Sequence, residues 1–514
     1  MLTNKPSKLL SSLLIGTAII ASLNFTNTTY AASNLHQLKS VVTKIAGKKT
    51  YNIYGTITNN GPRYKIGNTK DFKYSHLESK EYKKTKKGTY WLLIINGRSV
   101  GWVNQNFFAR SQISLAKHVN LVNNNYKFLT RDAINYVTSS TGTLINPHKV
   151  HISKTTIESN ESGEHKVTYK YGNAKKDLVI NVSNDKSIGV THADIQPDSQ
   201  VHDRSSWSGS SISTSPNWNE KHHYASETRA NHYTSANKQL ELNTRLYQPH
   251  FLSLKANQND FISQVGAIPQ GLTVYNNQAV VSTFASSKRL HGYLVNYNLN
   301  KLTNLYDTQN LITMPWKQFQ NYSEQIKVSP YLKLGHGQAI GSTDKYIYVL
   351  VNNNQLKNSS RSEELMQIRK SDMGLNQVWT IKVWNGSSKY PRYFHNATFV
   401  NDHLMYGLFH NSSKHRYEYW KLEKHDNQWI PTEVGATNSD FINNSPVQGF
   451  TYDKNQDEFY IGFNDYIFNV SGQGEFLNDY QFDSKRELEG MSVNNGKLFT
   501  QLAKRPEILQ AEIN

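Results

Sequence analysis

The first regular pattern of hydrophobic and polar positions lies near the N-terminus. The segment "YNIYGTITN" at 51–59 alternates, and "YWLLII" at 90–95 is a continuous apolar run. Asn96-Gly97 separates this run from "SVGWVN" at 99–104, and Asn-Gly favours a tight hairpin because both turn residues accept positive φ. Between the strands we expect a polar, lysine-rich loop at 70–90. Short strands and tight turns predict a small β-barrel over 40–110.

A second pattern of alternation lies within 113–184. Val167, Tyr169 and Tyr171 alternate with polar residues up to Gly172-Asn173, and alternation then resumes from Leu178 to Val182. Two strands of period two around a turn predict the edge of a β-sandwich-like unit, which we interpret as a spacer. The next segment, 185–240, is rich in Ser, Asn and Trp and has no period, so it is predicted to be a linker.

The C-terminal half, 241–514, contains a repeat. Each copy opens with a hydrogen-bonding residue, then Gly or Ala, and passes through a polar turn into an alternating strand; the copies are "PQGLTVYNNQAVVSTF" at 269, "GQAIGSTDKYIYVLV" at 337, "HNATFVNDHLMYGLF" at 395, "VQGFTYDKNQDEFYIGF" at 447 and "LEGMSVNNGKLFTQLA" at 488. Repetition of this unit predicts an all-β fold with a β-propeller. Five blades are readable, and 240–260 or 305–330 leaves room for a sixth.

The residue before the small one in each copy is polar, and it should face the central channel. These residues are Gln270, Gln338, Asn396, Gln448 and Glu489. Two roles stay open for them: hydrogen bonds to backbone that bridge the blades, and a ring that contacts a ligand. His336, between two glycines, is a further candidate at the rim.

The N-terminal segment predicts export from the cell. Lys5 and Lys8 precede an apolar run from Leu9 to Phe25, and small residues at Ala31-Ala32 follow, so 1–31 reads as a signal peptide. The chain has no cysteine, which excludes a disulfide framework. Long exported chains without cysteine are typical of Gram-positive bacteria.

The charge of the chain suggests its partner. The formal net charge is +18, and outside a cell an anionic wall polymer is a better partner for such a chain than nucleic acid. The segment "YWLLIINGRSVGWVN" resembles the end of a GW module, a wall-binding repeat of Gram-positive surface proteins. The resemblance implies binding of teichoic or lipoteichoic acid. It suggests wall-binding roles for Lys80, Lys83, Lys84, Lys86, Lys87 and Trp102, although for Trp102 we favour a core position.

Two weaker resemblances cover the rest of the chain. The "VTYKYG" strand ending resembles bacterial immunoglobulin-like repeats, which are mostly spacers. The segments "SPVQGFTYDKNQDEFYIGF" and "ELEGMSVNNGKLFTQLAKRPEILQAEIN" resemble the helveticin J family of large bacteriocins. That resemblance implies an antibacterial role, and the additional wall module distinguishes this chain from the stand-alone bacteriocin.

Motifs of known chemistry are few. The sequence lacks a Gly-x-Ser-x-Gly elbow and a His-Glu-x-x-His motif, so we predict no catalytic residue, cofactor or metal; the run from Asp453 to Asp457 lacks the glycine and final glutamate of a calcium loop. We therefore predict a secreted, wall-associated binding protein of the helveticin type. The alternatives are an adhesin, and a glycan hydrolase with Glu487 or Glu489 as its acid.

Overall fold

The computed structural model describes most of the chain. It covers residues 35–38, 49–123, 127–184, 189–190, 229–249, 268–284, 291–304, 308, 311, 313–352, 363–381, 383–385, 391–392, 394–426, 428–437, 440–442, 446–472, 474–503 and 506–513. The predicted signal peptide and most of the predicted linker lie outside these residues. The described part is almost entirely β, as predicted, and contains one α-helix. None of its helices has the length and apolarity needed to cross a membrane.

The N-terminal unit is a seven-stranded antiparallel sheet. Its strands are β1 (Leu35–Gln37), β2 (Asn52–Thr58), β3 (Gly61–Asn68), β4 (Leu77–Glu78), β5 (Glu81–Thr85), β6 (Gly88–Ile95) and β7 (Arg98–Asn104). They are ordered β1-β5-β6-β7-β2-β3, with β4 on β6. The predicted β6–β7 hairpin is confirmed, with positive φ at Asn96 and Gly97. The predicted lysine-rich loop is wrong, because β4 and β5 occupy it and Tyr82 pairs with Trp91.

The second unit and the segment that follows it contain many short strands. They are β8 (Gln112–Leu115), β9 (His118–Leu121), β10 (Lys127–Leu129), β11 (Ile134–Thr138), β12 (His151–Ile152), β13 (Thr156–Glu158), β14 (Gly163–Tyr171), β15 (Ala174–Val182) and β16 (Gly189–Val190). The predicted hairpin is present as β14 and β15, which pair in full register around Gly172. Val167 and Tyr169 face the core, as their alternation predicted.

The remaining strands belong mostly to the blades of a propeller. They are β17 (His232–Thr234), β18 (Glu241–Tyr247), β19 (Ile268–Tyr275), β20 (Gln278–Phe284), β21 (His291–Asn298), β22 (Ile326–Val328), β23 (Leu332–Lys333), β24 (Ile340–Ser342), β25 (Tyr346–Asn352), β26 (Glu363–Arg369), β27 (Leu375–Ile381), β28 (Val383–Asn385), β29 (Pro391–Arg392), β30 (Asn396–Asn401), β31 (Leu404–Asn411), β32 (Arg416–His425), β33 (Gln428–Ala436), β34 (Gly449–Asp453), β35 (Glu458–Phe463), β36 (Tyr466–Ser471), β37 (Phe476–Gln481), β38 (Leu488–Asn494), β39 (Lys497–Leu502) and β40 (Glu507–Glu512). Strands β28 and β29 form a separate sheet with β16, outside the blades. Helix α1 (Trp316–Glu324) lies between β21 and β22.

Four blades are built from consecutive strands, and the fifth joins distant parts of the chain. Blades I to IV are β19–β23, β24–β27, β30–β33 and β34–β37. Blade V combines β38–β40 with β18 and β17, since β18 pairs with the C-terminal strand β40. The inner strands β19, β24, β30, β34 and β38 contact one another in a closed ring. The segments proposed for a sixth blade instead supply β18 and α1 to the described structure.

Small residues at the strand openings allow the inner strands to approach closely. A β-carbon built on Gly271 of blade I would lie 2.2 Å from the carbonyl oxygen of Gly337, which precedes blade II. No larger residue fits at that distance. The small residue at this strand opening therefore allows blades I and II to approach closely.

The three units are packed together rather than strung on linkers. Strand β9 pairs in parallel with β15 and with β27, so the sheet of the second unit continues into blade II. One hydrophobic core contains Phe72 and Trp91 of the first unit together with Tyr293 of blade I. Helix α1 buries Phe319 against Phe72 in the same core, with ring centroids 5.9 Å apart.

Candidate functional site

The five strand openings converge on one end of the propeller channel. They line a cavity of about 460 Å³. All six predicted ligand-binding residues are among its walls: Gln270, His336, Gln338, Asn396, Gln448 and Glu489. The cavity also contacts His395, Leu408, His410, Pro446, Val447 and Glu487. The structure therefore brings the predicted residues together, and their role in ligand binding stays a prediction.

Three of these side chains close the floor of the cavity. The Gln338 amide nitrogen donates to the Gln448 amide oxygen at 2.6 Å and to a Glu489 carboxylate oxygen at 3.3 Å. Gln338 opens blade II, whereas Gln448 and Glu489 open blades IV and V, so both bonds cross the axis. All three side chains are buried. The polar residues therefore join blades that share no edge.

Gln270 and Asn396 bond instead to backbone. The Gln270 amide donates to the carbonyl oxygen of Pro269 at 2.9 Å, and the Asn396 amide donates to that of Val447 at 3.2 Å. The Asn396 contact bridges blades III and IV, which is the bridging role that the sequence left open. The amide oxygen of Asn396 is buried without a hydrogen-bond partner among the described residues. A buried acceptor of this kind is costly unless a ligand or water satisfies it.

Histidines and a carboxylate line the mouth of the cavity. His336 and His395 are exposed to it, and Glu487 is half-buried. Partial desolvation within the concave wall lowers the pKa of His395, and His336 and His410 lower it further. The ring of His410 is fixed by Asp440, whose carboxylate lies 2.7 Å from its Nε2. The lowered pKa favours the neutral form of His395, in which one ring nitrogen donates and the other accepts a hydrogen bond.

The chemistry of the walls restricts the ligand. Amides, imidazoles and the carboxylates of Glu487 and Glu489 face the cavity, and none of its described lining residues is Lys or Arg. Such a site disfavours anions and suits a neutral polar or cationic ligand. Sequence reasoning missed His395 and His410. The signal for His395 was its position directly before a strand opening, whereas His410 lies on the second strand of blade III, where the repeat gave no signal.

The predicted wall-binding lysines lie on β5 and its two ends rather than in one loop. Lys80, Lys84, Lys86 and Lys87 are exposed, and Lys83 is half-buried. None of them forms an ion pair with a carboxylate in the described part of the chain. Their charges are therefore open to an anionic partner.

The Gly-Trp pair has a local structural cause. A β-carbon on Gly101 would lie 2.6 Å from the carbonyl oxygen of Tyr54, and its φ is 152°. Strands β2 and β7 pair here, with Tyr54 opposite Trp102, and only glycine fits next to this pair. The favoured core position of Trp102 is wrong. Its side chain is half-buried, and Val103 fills the core because alternate residues of a strand face opposite sides.

The run from Asp453 to Asp457 forms the turn between β34 and β35. The Asp453 carboxylate accepts a hydrogen bond from the backbone of Asn455 at 2.9 Å, and Asp457 accepts one from the Tyr452 hydroxyl at 2.7 Å. These contacts give the acidic residues of the turn a structural role.

Comparison with known families supports the N-terminal assignment. Residues 36–109 match the GW (Gly-Tryp) dipeptide domain family. The first unit is therefore a GW domain, and domains of this kind associate with bacterial cell walls. A comparison with curated protein sequences gives no match.

The solved structures that resemble this chain have low sequence identity and low TM-scores. The β-propeller domain of Cps50 (Swd1) from Myceliophteria thermophila is 9% identical, with 55% of this chain and 83% of that chain covered and a TM-score of 0.24. The gluconolactonase XC5397 from Xanthomonas campestris is 6% identical, with 56% and 96% covered and a TM-score of 0.27. The computationally designed Ika4 protein is 11% identical, with 34% and 90% covered and a TM-score of 0.20. At such TM-scores the propeller assignment rests on strand topology alone.

Proposed function

We propose that the protein is a secreted, cell-wall-associated binding protein that acts against other bacteria in the manner of the helveticin J family. The observation that carries the proposal is the axial cavity, where five equivalent strand openings present polar side chains to one space. A GW domain on the same chain supplies the attachment to the wall. The axial cavity then binds a second target, a polar glycan or other component of the bacterial envelope.

Attachment to the wall depends on charge in this proposal. Lys84, Lys86 and Lys87 are exposed at the turn between β5 and β6 and carry no described ion pair. Their attraction to phosphates of teichoic or lipoteichoic acid weakens as salt screens it. Retention on purified walls should fall steeply between low and high salt, and the triple change to Gln should lower it further. Retention that is unchanged by both would contradict the proposed partner.

Antibacterial action is tested with the whole protein. Growth-inhibition assays against related Gram-positive strains should show killing, and His395→Ala with Glu487→Gln should abolish it by removing two groups from the cavity mouth. His403→Ala is the matched control, since His403 is exposed in the turn at the far end of β30. Killing that persists in the cavity variant would refute the role of the cavity. Binding to walls and target without killing would indicate an adhesin instead.

A glycan hydrolase is the second candidate, because Glu487 and Glu489 lie in the same cavity. Two carboxylates at one site serve glycoside hydrolysis when one acts as acid. The protein would then release reducing ends from wall glycans, and Glu489→Gln would stop the release. Absence of reducing ends from any wall preparation would exclude this candidate.

A further inference from the structure

A second cavity lies at the junction of the GW domain and the propeller. Its volume is about 530 Å³, and it shares no lining residue with the axial cavity. Lys73 and Tyr74 approach it from the GW domain, Asn296 from blade I, Lys327 from β22, and Lys370 from the turn after β26. Its walls therefore come from two units of the chain.

Lys370 is the most unusual group in this cavity. It is only 9% exposed, and its ammonium lies 5.0 Å from the ring centre of Tyr275 without an ion pair to a described carboxylate. Burial lowers the pKa of Lys370 to about 8, although Asp344 and Asp402 oppose the shift. A buried ammonium without a paired anion is unfavourable. The site is therefore built to receive negative charge.

Two further ammonium groups reinforce this charge. Lys73 and Lys327 lie 5.4 Å and 5.8 Å from the ring centre of Tyr74. Neither is paired with a carboxylate among the described residues. An anion placed in the cavity gains the attraction of these groups in a partly desolvated site, where charge interactions are strong.

The amides of the cavity have unused hydrogen-bonding capacity. Asn296 is 3% exposed and its amide oxygen has no partner among the described residues. Asn298 donates to Gln325 at 2.9 Å, but its amide oxygen is likewise buried and unpartnered. Asp71, Glu324 and Asp344 also line the cavity and are half-buried or exposed. Hydroxyl groups of a ligand can donate hydrogen bonds to these amide and carboxylate oxygens.

We infer that the junction cavity binds a phosphorylated polyol, with the phosphate on Lys370 and Lys327 and the hydroxyls on Asn296, Asn298 and the carboxylates at the edge. Ammonium groups alone would serve any anion, whereas the unpartnered amides require a ligand that also carries hydroxyls. The inference is independent of the second target of the axial cavity.

The test is calorimetric titration of the full chain with glycerol 3-phosphate. We expect saturable binding to one site, and a loss of affinity of at least about tenfold in Lys370→Gln and in Lys327→Gln, since each removes a charge-assisted hydrogen bond. Lys301→Gln is the charge-matched control, because Lys301 is an exposed turn residue outside the cavity; it should bind as the natural chain does. No saturable heat, or equal weakening in the control, would overturn the inference.

Three further arms define the ligand. Glycerol alone and inorganic phosphate alone should each bind at least about tenfold more weakly than the ester; equal binding of either would overturn the combined recognition. Poly(glycerol phosphate) then distinguishes the source. Polymer that competes with glycerol 3-phosphate assigns the site to a polymer unit, whereas polymer that binds only through the GW lysines leaves the titration of the ester unchanged and assigns the site to the free ester. A thermal unfolding midpoint of Lys370→Gln at or above that of the natural chain, which is the expected result, excludes misfolding. If the midpoint falls, the affinity of Lys327→Gln for glycerol 3-phosphate decides whether the inference holds.

Discussion

Lys333 holds the second unit against the propeller through a buried charged cluster. Its ammonium lies 2.6 Å from a carboxylate oxygen of Asp132 in the second unit and 3.1 Å from one of Glu364 in blade II. All three side chains are buried. Replacing Lys333 with Met leaves two buried carboxylates without their cation.

The expected destabilisation can be worked from these contacts. Each charge-assisted hydrogen bond contributes about 1.5–3 kcal/mol, and removing one partner of a buried ion pair costs about 3–5 kcal/mol. Burial and the proximity of Asp132 raise the pKa of Glu364 to about 8 despite Lys333. Glu364 is therefore mostly protonated at pH 7. A loss of about 4 kcal/mol is expected, because the buried carboxyl groups of Asp132 and Glu364 both lose the ammonium that they contact.

The pH dependence follows from the same cluster. Since Glu364 has a higher pKa in the folded chain than its ordinary 4.5, the folded state binds the additional proton between pH 4.5 and about 8. Its contribution to stability is complete below that window and is lost as the pH rises through it. In Lys333→Met, protonation of Glu364 removes the charge that the ammonium stabilises, so the part of the penalty that comes from Glu364 should shrink between pH 9 and pH 6.

Urea unfolding followed by circular dichroism at both pH values measures these effects. Lys345→Met serves as the control, because Lys345 is exposed in the turn before β25. A change of less than about 1 kcal/mol for Lys333→Met at pH 9, or a penalty that is equal at pH 9 and pH 6, would refute the assigned interaction of Lys333 with Glu364.

Three other changes test separate parts of the structure. Gly101→Ala places a β-carbon against the Tyr54 carbonyl and should cost about 1–3 kcal/mol, seen as faster amide exchange in β2 and β7; unchanged exchange would contradict the close approach. Gln338→Ala removes the two bonds across the axis, to Gln448 and Glu489, and should lower the unfolding free energy by about 1–3 kcal/mol. Lys370→Met should raise stability at pH 7, because the pKa of Lys370 is lowered from 10.5 to about 8 and its penalty is complete below pH 8; the gain should disappear as the pH rises toward 10.5.

Local sequence signals predicted the local structure well. Asn96-Gly97 has the positive φ values that its hairpin turn requires, and the alternation from Val167 to Val182 is the paired β14 and β15. The five strand openings are five inner strands, and the side chains before their small residues do meet at the axis. In each case the deciding physics acts within a few residues: turn geometry, the two-residue period of a strand, and the size of one side chain.

Contacts between distant segments were not predictable in the same way. Nothing in Glu241–Tyr247 specifies that it pairs with Glu507–Glu512 at the other end of the chain. The parallel pairing of β9 with both β15 and β27 likewise joins two units that the sequence separated. The lysine-rich stretch predicts a loop although it contains β4 and β5, because exposed strands at the edge of a sheet carry the same polar residues as loops. These features depend on which surfaces remain unpaired after each unit has formed.

The two cavities differ in charge, and this separates their ligands. The described walls of the axial cavity contain Glu487 and Glu489 but neither Lys nor Arg, whereas the junction cavity contains four lysines beside the carboxylates of Asp71, Glu324 and Asp344. Because Lys327 and Lys370 form no ion pair with a described carboxylate, the proposed anionic wall polymer is favoured at the junction cavity and disfavoured in the axial cavity. Because the GW domain shares a hydrophobic core with blade I, and Arg98 donates to the backbone of Met314 at 2.6 Å, the two sites keep a fixed relation. If the proposed wall polymer binds on the GW side, the axial cavity thus stays free for a different ligand.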